Sequence, residues 1–496
     1  MGELTRRAIL LAGGGIVGGI AGATLSAKRP SLSGTTSLQP TGAENTLNDA
    51  SGLNETPIFR HTIRSENPGD VLVDAIRAEI SEARENNRPF NIGAARHSMG
   101  GHAIPTNGHA MTFSSGFVQF DPRDNSFRAH AGARWSDVIR TLDPQGFGPK
   151  VMQSNNDFGV AATFAVNAHG WPVPHGPMGS TVKSIFIVRP DGELVRCSRT
   201  ENAPLFFATM GGYGLTGAVI EVEVEAEPNV LLEPTFRKIP ATEFAPFFVG
   251  AIESGGVNMA YGRLNVDRDN FFNDAMMITY REAADQSEIP PASGSGFLSQ
   301  ASRYVFRSQV HNEYAKDVRW WFETGLGPII GGGAVTRNSL INEPVVTLDD
   351  RDPTRTDILH EYFVPPGRFN DFVTACQEVI PKSFQELLNI TLRYVAADTE
   401  SVLSYAPAPR IACVLLFSQE MTERDEIDHR RMTQELIDRV LDLGGTYYLP
   451  YRPHARNSQF RRAYPNAEKF VEEKKFYDPD LVFRNAFWDR YLSRFA

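Results

Sequence analysis

Cysteine is scarce in this chain of 496 residues, which contains only Cys197, Cys376 and Cys413. The three are odd in number and far apart, which argues against a disulfide framework and against a paired-cysteine metal site. We expect all three to be buried apolar thiols.

Positive charge is also in short supply, since 49 lysines and arginines face 59 aspartates and glutamates and leave a net charge of -10. No basic stripe is present, so we expect no nucleic-acid partner. Internal repeats and heptads are missing, which excludes a solenoid and a coiled coil. With 41% hydrophobic residues the composition is that of a globular chain, long enough for two or three domains.

Strongly apolar runs are missing from the N-terminus, where Arg6 and Arg7 precede an uncharged stretch over 8–27 that is rich in glycine and alanine. This layout, with the small residues of 21–23, predicts an export signal over 1–27. The paired arginines resemble the twin-arginine type, which implies export machinery and a periplasmic or extracellular protein. The alternative is an uncleaved membrane anchor, which the many glycines disfavour because a span needs about 20 apolar residues.

What the sequence does contain is three glycine-assisted loops, over 90–102, 161–170 and 211–217. The first follows a strand-like lead and carries His97 and Ser98. Loops of this kind direct several backbone N–H groups at one point, which suits a phosphate. Three of them within one domain-sized stretch predict a long cofactor with more than one phosphate.

Periodicity and turn residues predict the secondary structure around these loops. Residues 28–55, rich in Ser, Thr, Gly, Pro and Asn, predict a flexible linker. Helices are predicted over 71–80, 135–142 and 205–210, and strands over 90–94, 111–120, 126–131, 182–188, 194–198 and 218–226. Farther along, strands are predicted over 359–364, 390–396 and 411–417, helices over 368–380, 425–441 and within 464–491, and a loop over a pocket at 294–302.

Several of these segments together resemble one family. They are Ala94-Ala95-Arg96-His97-Ser98, Asn167-Ala168-His169-Gly170, His175-Gly176-Pro177, the stretch over 205–214 and Tyr477-Asp478-Pro479. The set resembles the flavin-dependent oxidoreductases of the vanillyl-alcohol oxidase type, also called PCMH-type. That family includes aldonolactone oxidases, alditol oxidase and cytokinin dehydrogenase.

The resemblance implies an α+β fold with a PCMH-type FAD-binding domain of two α+β subdomains over 56–228. An inserted α+β substrate domain with an antiparallel sheet would follow over 229–435, and a C-terminal segment over 436–496 would return to the FAD domain. FAD would be bound covalently through His97, although Arg96 replaces the glycine usual before that histidine, and the alternative is a histidine that only hydrogen-bonds the loop. The cofactor-binding residues implied are Ala94, Ala95, Arg96, His97, Ser98, Gly100, Ala162, Thr163, Asn167, His169, Gly212, Gly217 and Val219.

Three catalytic residues are carried over by position. The family's lactone and alditol oxidases have an E-x-R strand motif, which stands here as Thr391-Leu392-Arg393. Arg393 would polarise the substrate oxygen or hold an anion, and the alternative is a structural ion pair. Glu361 matches another strand of the same sheet and would face either the substrate or solvent. His454 takes the histidine place of the family's P-H-W-x-K segment, or else lies in a polar turn.

The function implied is an FAD-dependent oxidoreductase that oxidises a CH–OH group of an alcohol, polyol or sugar lactone by hydride transfer to flavin N5. The electrons would pass to oxygen or another acceptor. One alternative is oxidation of a CH–NH group, as in cytokinin dehydrogenase. A second is a catalytically inert flavin-binding protein, which the Thr391 departure favours.

Overall fold

The computed structural model of the chain describes residues 35–294, 306–330, 332–345 and 352–496. The export signal predicted over 1–27 lies outside the described residues, as does nearly all of the loop predicted over 294–302. Among the described residues, no helix has the length and apolarity needed to cross a membrane.

The N-terminal part holds two sheets and four helices. The strands are β1 Thr46–Leu47, β2 Thr56–Pro57, β3 Arg60–Arg64, β4 Phe90–Gly93, β5 His109–Phe113, β6 Val118–Asp121, β7 Ser126–His130, β8 Phe147–Pro149, β9 Val182–Val188, β10 Leu194–Ser198 and β11 Ala218–Pro228, and the helices are α1 Asp70–Glu85, α2 Trp135–Leu142, α3 Val160–Ala165 and α4 Ala203–Thr209. A parallel sheet has the order β3-β5-β4, and an antiparallel sheet has the order β10-β9-β11-β7-β6 with β8 paired to β11. β1 pairs with β2 in a separate two-stranded ladder.

Helix α1 shows why these elements form. Its apolar residues Leu72, Val73, Ile76 and Ile80 recur at helical spacing, and all four are buried against the core. The helix ends at Asn86, and Asn87 follows with a φ of 50°, a conformation that asparagine tolerates better than most residues. The chain then turns directly into β4, which leads to the first glycine-assisted loop.

The central part is one large antiparallel sheet with helices packed on it. Its strands are β12 Leu231–Pro240, β13 Val257–Leu264, β14 Asp274–Glu282, β15 Val335–Thr336, β16 Arg355–Val364, β17 Glu386–Val395, β18 Arg410–Glu420 and β19 Thr446–Tyr447, and its helices are α5 Ala241–Glu253, α6 Glu313–Trp321, α7 Gly327–Ile330, α8 Arg337–Leu340, α9 Phe369–Val379 and α10 Glu423–Asp442. The strand order is β15-β12-β14-β13-β17-β18-β16-β19. Phe244 of α5, Phe372 of α9 and Met432 of α10 pack into one core with this sheet.

The last helices, α11 Asn457–Ala463 and α12 Ala467–Tyr477, bring the chain back to the N-terminal part. The amide nitrogen of Asn485 donates to the carbonyl oxygens of His102 (2.6 Å) and Tyr213 (2.9 Å). The N–H of Phe90 in β4 donates to the carbonyl of Val482 at 2.7 Å. The C-terminal segment therefore contacts the N-terminal part, and the boundary placed at 435 falls inside α10.

The α+β class predicted from the sequence is confirmed, and α2, β9 and β10 begin and end where their patterns predicted. The strand predicted over 111–120 is two strands, β5 and β6, because residues 114–117 leave the ladder. The strands β12 to β14 and helix α5 were not predicted; Pro234 and Pro240 lie in β12 and Pro246 lies in α5, where proline is unusual.

The linker predicted over 28–55 differs from the structure over 35–55, where the chain packs against the body of the protein. The Glu55 carboxylate accepts hydrogen bonds from the backbone N–H groups of Thr41 (2.7 Å) and Gly42 (2.8 Å). The Asp49 carboxylate accepts one from the N–H of Gly101 at 2.8 Å. Polar composition here reflects side chains that bond to backbone rather than disorder, which composition alone does not distinguish.

Candidate active site

A cavity of about 620 Å³ lies between the loops of the N-terminal part and one face of the central sheet. A size of this order is typical of sites for small molecules and cofactors. The first loop lines it over 92–99, the second contributes residues between 158 and 169, and the sheet supplies alternate residues of β16, β17 and β18. The segment 49–52, assigned from the sequence to the linker, lines it as well.

The first loop turns sharply at Arg96, whose φ is 53°. This left-handed conformation favours glycine, which explains why the resembling family usually has glycine there. The guanidinium folds back toward Gly93 and donates to the Thr112 hydroxyl at 2.8 Å, while Nη2 is buried without a hydrogen-bond partner. Burial lowers the pKa of Arg96 to about 10.

His97 follows, and its ring stacks on the ring of Phe158 with a centroid distance of 4.1 Å. Its Nε2 is buried and has no hydrogen-bond partner among the described residues. Burial lowers the pKa of His97, an effect that the nearby Asp157 opposes. Ala94, Ala95 and Ser98 complete this wall of the cavity.

The second loop is held by buried hydrogen bonds. The Thr163 hydroxyl lies 2.9 Å from both the indole nitrogen of Trp135 and the amide oxygen of Gln153. Asn167 has a φ of 47°; its amide oxygen accepts from the N–H of Gly179 and its amide nitrogen donates to Asp398 at 3.0 Å. Asn167 therefore braces the loop from outside the cavity lining.

The remaining predicted cofactor-binding residues divide into two groups. Ala162, Thr163, His169, Gly217 and Val219 line the cavity, but Gly100 and Gly212 do not. A Cβ at Gly100 would lie 2.9 Å from the carbonyl oxygen of Tyr451, and one at Gly212 would lie 2.1 Å from that of Ala208. These two glycines allow close backbone packing behind the loops.

The opposite wall is the face of the sheet, where side chains alternate along each strand. The strand residues that line the cavity are Arg355, Thr356, Asp357, Leu359 and Glu361 of β16, Asn389, Thr391 and Arg393 of β17, and Val414 and Leu416 of β18. Glu361 and Arg393 thus share the cavity with His97, although more than 250 residues separate them from it in the sequence.

Glu361 and His169 form the most buried polar pair of the cavity, with side chains 2% and 3% exposed. Oε1 of Glu361 is hydrogen-bonded to Nε2 of His169, and the Tyr451 hydroxyl donates to Oε2 at 3.3 Å. Burial and the Glu361 charge raise the pKa of Tyr451 well above its usual value. The alternative that Glu361 faces solvent is therefore not what the structure shows.

Arg393 lies beside this pair on β17, and burial lowers the pKa of its guanidinium while Glu361 opposes the shift. Its Nε is buried without a partner, and no hydrogen bond or ion pair joins its guanidinium to any residue that the structure describes. The Thr391 hydroxyl, two residues earlier on the same face, accepts a hydrogen bond from Arg263 at 3.0 Å.

His454, the third catalytic residue predicted, does not line the cavity. Its Nε2 lies 3.0 Å from Oε1 of Glu426 and its Nδ1 lies 3.3 Å from the Thr433 hydroxyl, both on α10. Pro450 and Tyr451 line the cavity, and the chain then leaves it before His454. The residue of this segment that reaches the site is therefore Tyr451 rather than His454.

Sequence reasoning missed Phe158 and Tyr451 as site residues. Tyr451 stands in the same segment as His454 and could have been found by considering every polar residue of that segment. Phe158 has no sequence signal of its own, because its role depends on stacking against His97 across 61 positions of sequence.

The residues present fit a bound FAD. Backbone of two turns borders the cavity, and a Cβ at Gly159 would lie 2.9 Å from Cβ of Ala94, so the two loops approach closely only because residue 159 is glycine. The unpartnered Nε2 of His97 and Nη2 of Arg96 belong to side chains that border the same space. A large ligand with phosphate and ring parts would use these groups.

Comparison with known proteins agrees with this site. The sequence model of the FAD binding domain family matches residues 72–198. The chain is 29% identical over 189 residues to cytokinin dehydrogenase 1 of Oryza sativa subsp. japonica, covering 36% of this chain and 35% of the relative. It is 33% identical over 183 residues to cytokinin dehydrogenase 10 of the same organism, covering 34% of this chain and 32% of the relative.

A relative of another activity is L-gulonolactone oxidase of Mus musculus, 24% identical over 167 residues, with 33% of this chain and 38% of the relative covered. The chain thus spans about a third of the length of the curated relatives it matches. Residues 72–198 therefore match the FAD binding domain family, in the part of the chain that holds the first and second loops.

Proposed function

We propose that the chain is an FAD-dependent oxidoreductase that oxidises a CH–OH group of a small alcohol, polyol or sugar lactone. One observation carries this proposal: the cavity has cofactor-type loops on one wall and the polar groups Glu361 and Arg393 on the other, with His169 of the second loop hydrogen-bonded to Glu361. A flavin held by the loops would have these groups beside its substrate. FAD supplies, when bound, an acceptor for the hydride that leaves the carbon.

The residues that would hold the cofactor are those of the first and second loops. Backbone of 94–98 and the edge of α3 at Ala162 and Thr163 border the cavity, and so do Gly217 and Val219. Arg96 brings a positive charge to the first loop, which suits the diphosphate.

Glu361 is the group we assign to the proton of the substrate hydroxyl. Oxidation of a CH–OH group requires a base to take that proton, and a carboxylate paired to a histidine can do so. His169 holds Oε1, which leaves Oε2 with only the longer Tyr451 contact. Arg393 would bind the substrate oxygen from β17, which β18 separates from the strand of Glu361.

We further propose that FAD is attached covalently at His97. The ring is held flat against Phe158 and its Nε2 makes no hydrogen bond with a described residue, so no protein contact would have to be broken first. His97 also stands at the position where several members of the resembling family carry the bond.

A second candidate is oxidation of a CH–NH group, favoured by the cytokinin dehydrogenases among the relatives. Full-length protein loaded with FAD would be mixed anaerobically with polyols, aldonolactones and N6-substituted adenines. Loss of flavin absorbance with the first two classes supports CH–OH oxidation, and loss with the adenines alone supports the second candidate. Reoxidation by oxygen or by an artificial acceptor then identifies the electron acceptor class.

The third reading, an inert flavin protein, has its own outcome in this experiment. Flavin that dithionite reduces but no compound bleaches would contradict an oxidoreductase.

We also propose export through the paired arginines. Replacing Arg6 and Arg7 by lysine should keep the protein inside the cell, as followed by fractionation, whereas export unchanged by that replacement would contradict the twin-arginine route.

A further inference from the structure

Two arginines line the sheet wall of the cavity, and they differ in how their charge is balanced. Arg355 donates to the carbonyl oxygen of Ser418 at 2.8 Å and lies 3.4 Å from the Glu420 carboxylate. Arg393 has no ion pair and no hydrogen bond with any of the residues described, and its Nε is buried. A half-buried guanidinium whose Nε has no partner is costly to desolvate, so an anion that enters the cavity would be bound there.

The Glu361 carboxylate does not act as the hydrogen-bonding partner that such an anion would be for Arg393. Glu361 uses Oε1 for His169 and receives the Tyr451 hydroxyl on Oε2. Both oxygens of Glu361 therefore have other hydrogen-bond partners, and its charge acts on Arg393 only through space.

At position 391, on the same face of the sheet as Arg393, this chain lacks a negative charge. Where the resembling oxidases carry an acid two residues before the arginine, this chain has Thr391. The Thr391 hydroxyl accepts a hydrogen bond from the guanidinium of Arg263 at 3.0 Å. Arg393 therefore has a second arginine, Arg263, near it, and position 391 supplies no carboxylate to either. Burial lowers the pKa of Arg393, and the repulsion between Arg263 and Arg393 lowers it further.

Leu359 of β16 and Val414 and Leu416 of β18 add apolar side chains to the wall that carries Arg393. A cation in such surroundings binds a carboxylate more strongly than it would in water. We propose that the substrate of this site carries a carboxylate, which Arg393 binds while Glu361 acts on the hydroxyl. The substrate class is then a small hydroxy acid rather than a neutral polyol, and this inference rests on the function proposed above.

The test measures binding through the flavin spectrum, so it does not depend on turnover. FAD-loaded full-length protein is titrated with benzoate and benzamide, and with propionate and propionamide. Each carboxylate should bind at least about 10-fold tighter than its amide, as a charge-assisted hydrogen bond requires. Equal affinity within both pairs, or no spectral change with either carboxylate, would overturn the proposal.

Variants assign the effect to Arg393. R393Q should bring the carboxylate-to-amide ratio close to one, R393K should keep part of it, and T391E should reduce it by returning an acid to the wall. R140Q removes an exposed arginine of α2, whose side chain is 71% exposed, and should leave the ratio unchanged. If R393Q does not fold, T391E decides, because an unaltered ratio in that variant contradicts the proposal.

Two further outcomes separate this inference from the proposed function. If R393Q shifts the flavin potential but leaves the ratio intact, Arg393 serves the flavin only and the inference is wrong. If carboxylates bind selectively but no alcohol, hydroxy acids included, bleaches the flavin, the anion site stands and the oxidoreductase proposal fails.

Discussion

At the scale of single residues, the proposed covalent bond between FAD and His97 gives the prediction with the simplest outcome. Replacement by alanine leaves no side chain to attach the flavin, so acid precipitation should release all flavin from His97→Ala while the unaltered protein keeps its colour in the pellet. Absorbance of pellet and supernatant measures this. Phe158→Leu serves as a matched control that removes the stacking partner and keeps His97. Flavin that stays with the denatured His97→Ala protein would assign the bond to another residue.

Glu361 allows a second residue-scale prediction. Glu361→Gln keeps the shape and can still accept a hydrogen bond from His169, but it cannot take a proton. We expect flavin reduction by the best substrate to slow by about 10²- to 10⁴-fold, with FAD content unchanged, in stopped-flow measurements. Tyr451→Phe removes only the longer contact and should cost less. A Glu361→Gln variant that reduces at the original rate would show that the base is another group.

At the scale of elements, Asp478 ends helix α12 and fixes the turn after it. Its carboxylate is ion-paired with Lys474, both side chains having no exposed surface, and it accepts the N–H groups of Val482 (2.9 Å) and Phe483 (2.8 Å). Burial lowers the pKa of Lys474 to about 8. The Tyr-Asp-Pro segment, singled out by resemblance, is thus a structural element that returns the chain to β4.

Asp478→Ala leaves Lys474 buried without its partner and should lower the free energy of unfolding by about 3–5 kcal/mol, as for other broken buried pairs. Urea denaturation followed by far-UV circular dichroism measures the loss. The double variant Lys474→Met, Asp478→Leu removes both charges and should recover part of it. A loss below about 1 kcal/mol, the size usual for an exposed pair, would mean that the pair is not buried in solution.

The same scale shows where sequence patterns were sufficient. Helix α2 and the hairpin β9–β10 follow local rules, namely apolar spacing and a Pro-Asp-Gly turn, and their bounds were predicted correctly. Strands β12 to β14 were missed because each is stabilised by partners distant in sequence, such as the Leu232 to Glu282 pairing. Long-range pairing of this kind is set by the sheet as a whole.

At the scale of the whole molecule, buried histidines make stability depend on pH. His102 is 5% exposed and His130 is fully buried, and burial lowers the pKa of each to about 4. In the unfolded chain a histidine titrates near pH 6.5. The unfolded state therefore binds more protons between these values, so their contribution is complete above pH 6.5 and is lost as the pH falls toward 4.

Acidification from pH 7.5 to 5.5 should thus reduce the free energy of unfolding by about 1 kcal/mol for each of the two histidines. Urea denaturation at both pH values checks the sum, and His102→Gln should show a smaller difference between them. Stability that is equal or higher at pH 5.5 would contradict the burial of these rings as neutral groups.

Within the sequence itself, the three glycine-assisted loops predicted a long cofactor with more than one phosphate, and the resemblance of the ordered segments implied an α+β fold with a flavin at the loop around His97. Local turns need particular residues, so their chemistry can be read from the chain directly. Only the tertiary structure decided that Glu361 pairs with His169 and that His454 lies outside the cavity lining. It also decided that Arg393 has no hydrogen bond or ion pair with a described residue. Each depends on which strand lies opposite which loop, and that arrangement follows from packing across hundreds of residues rather than from neighbours in sequence.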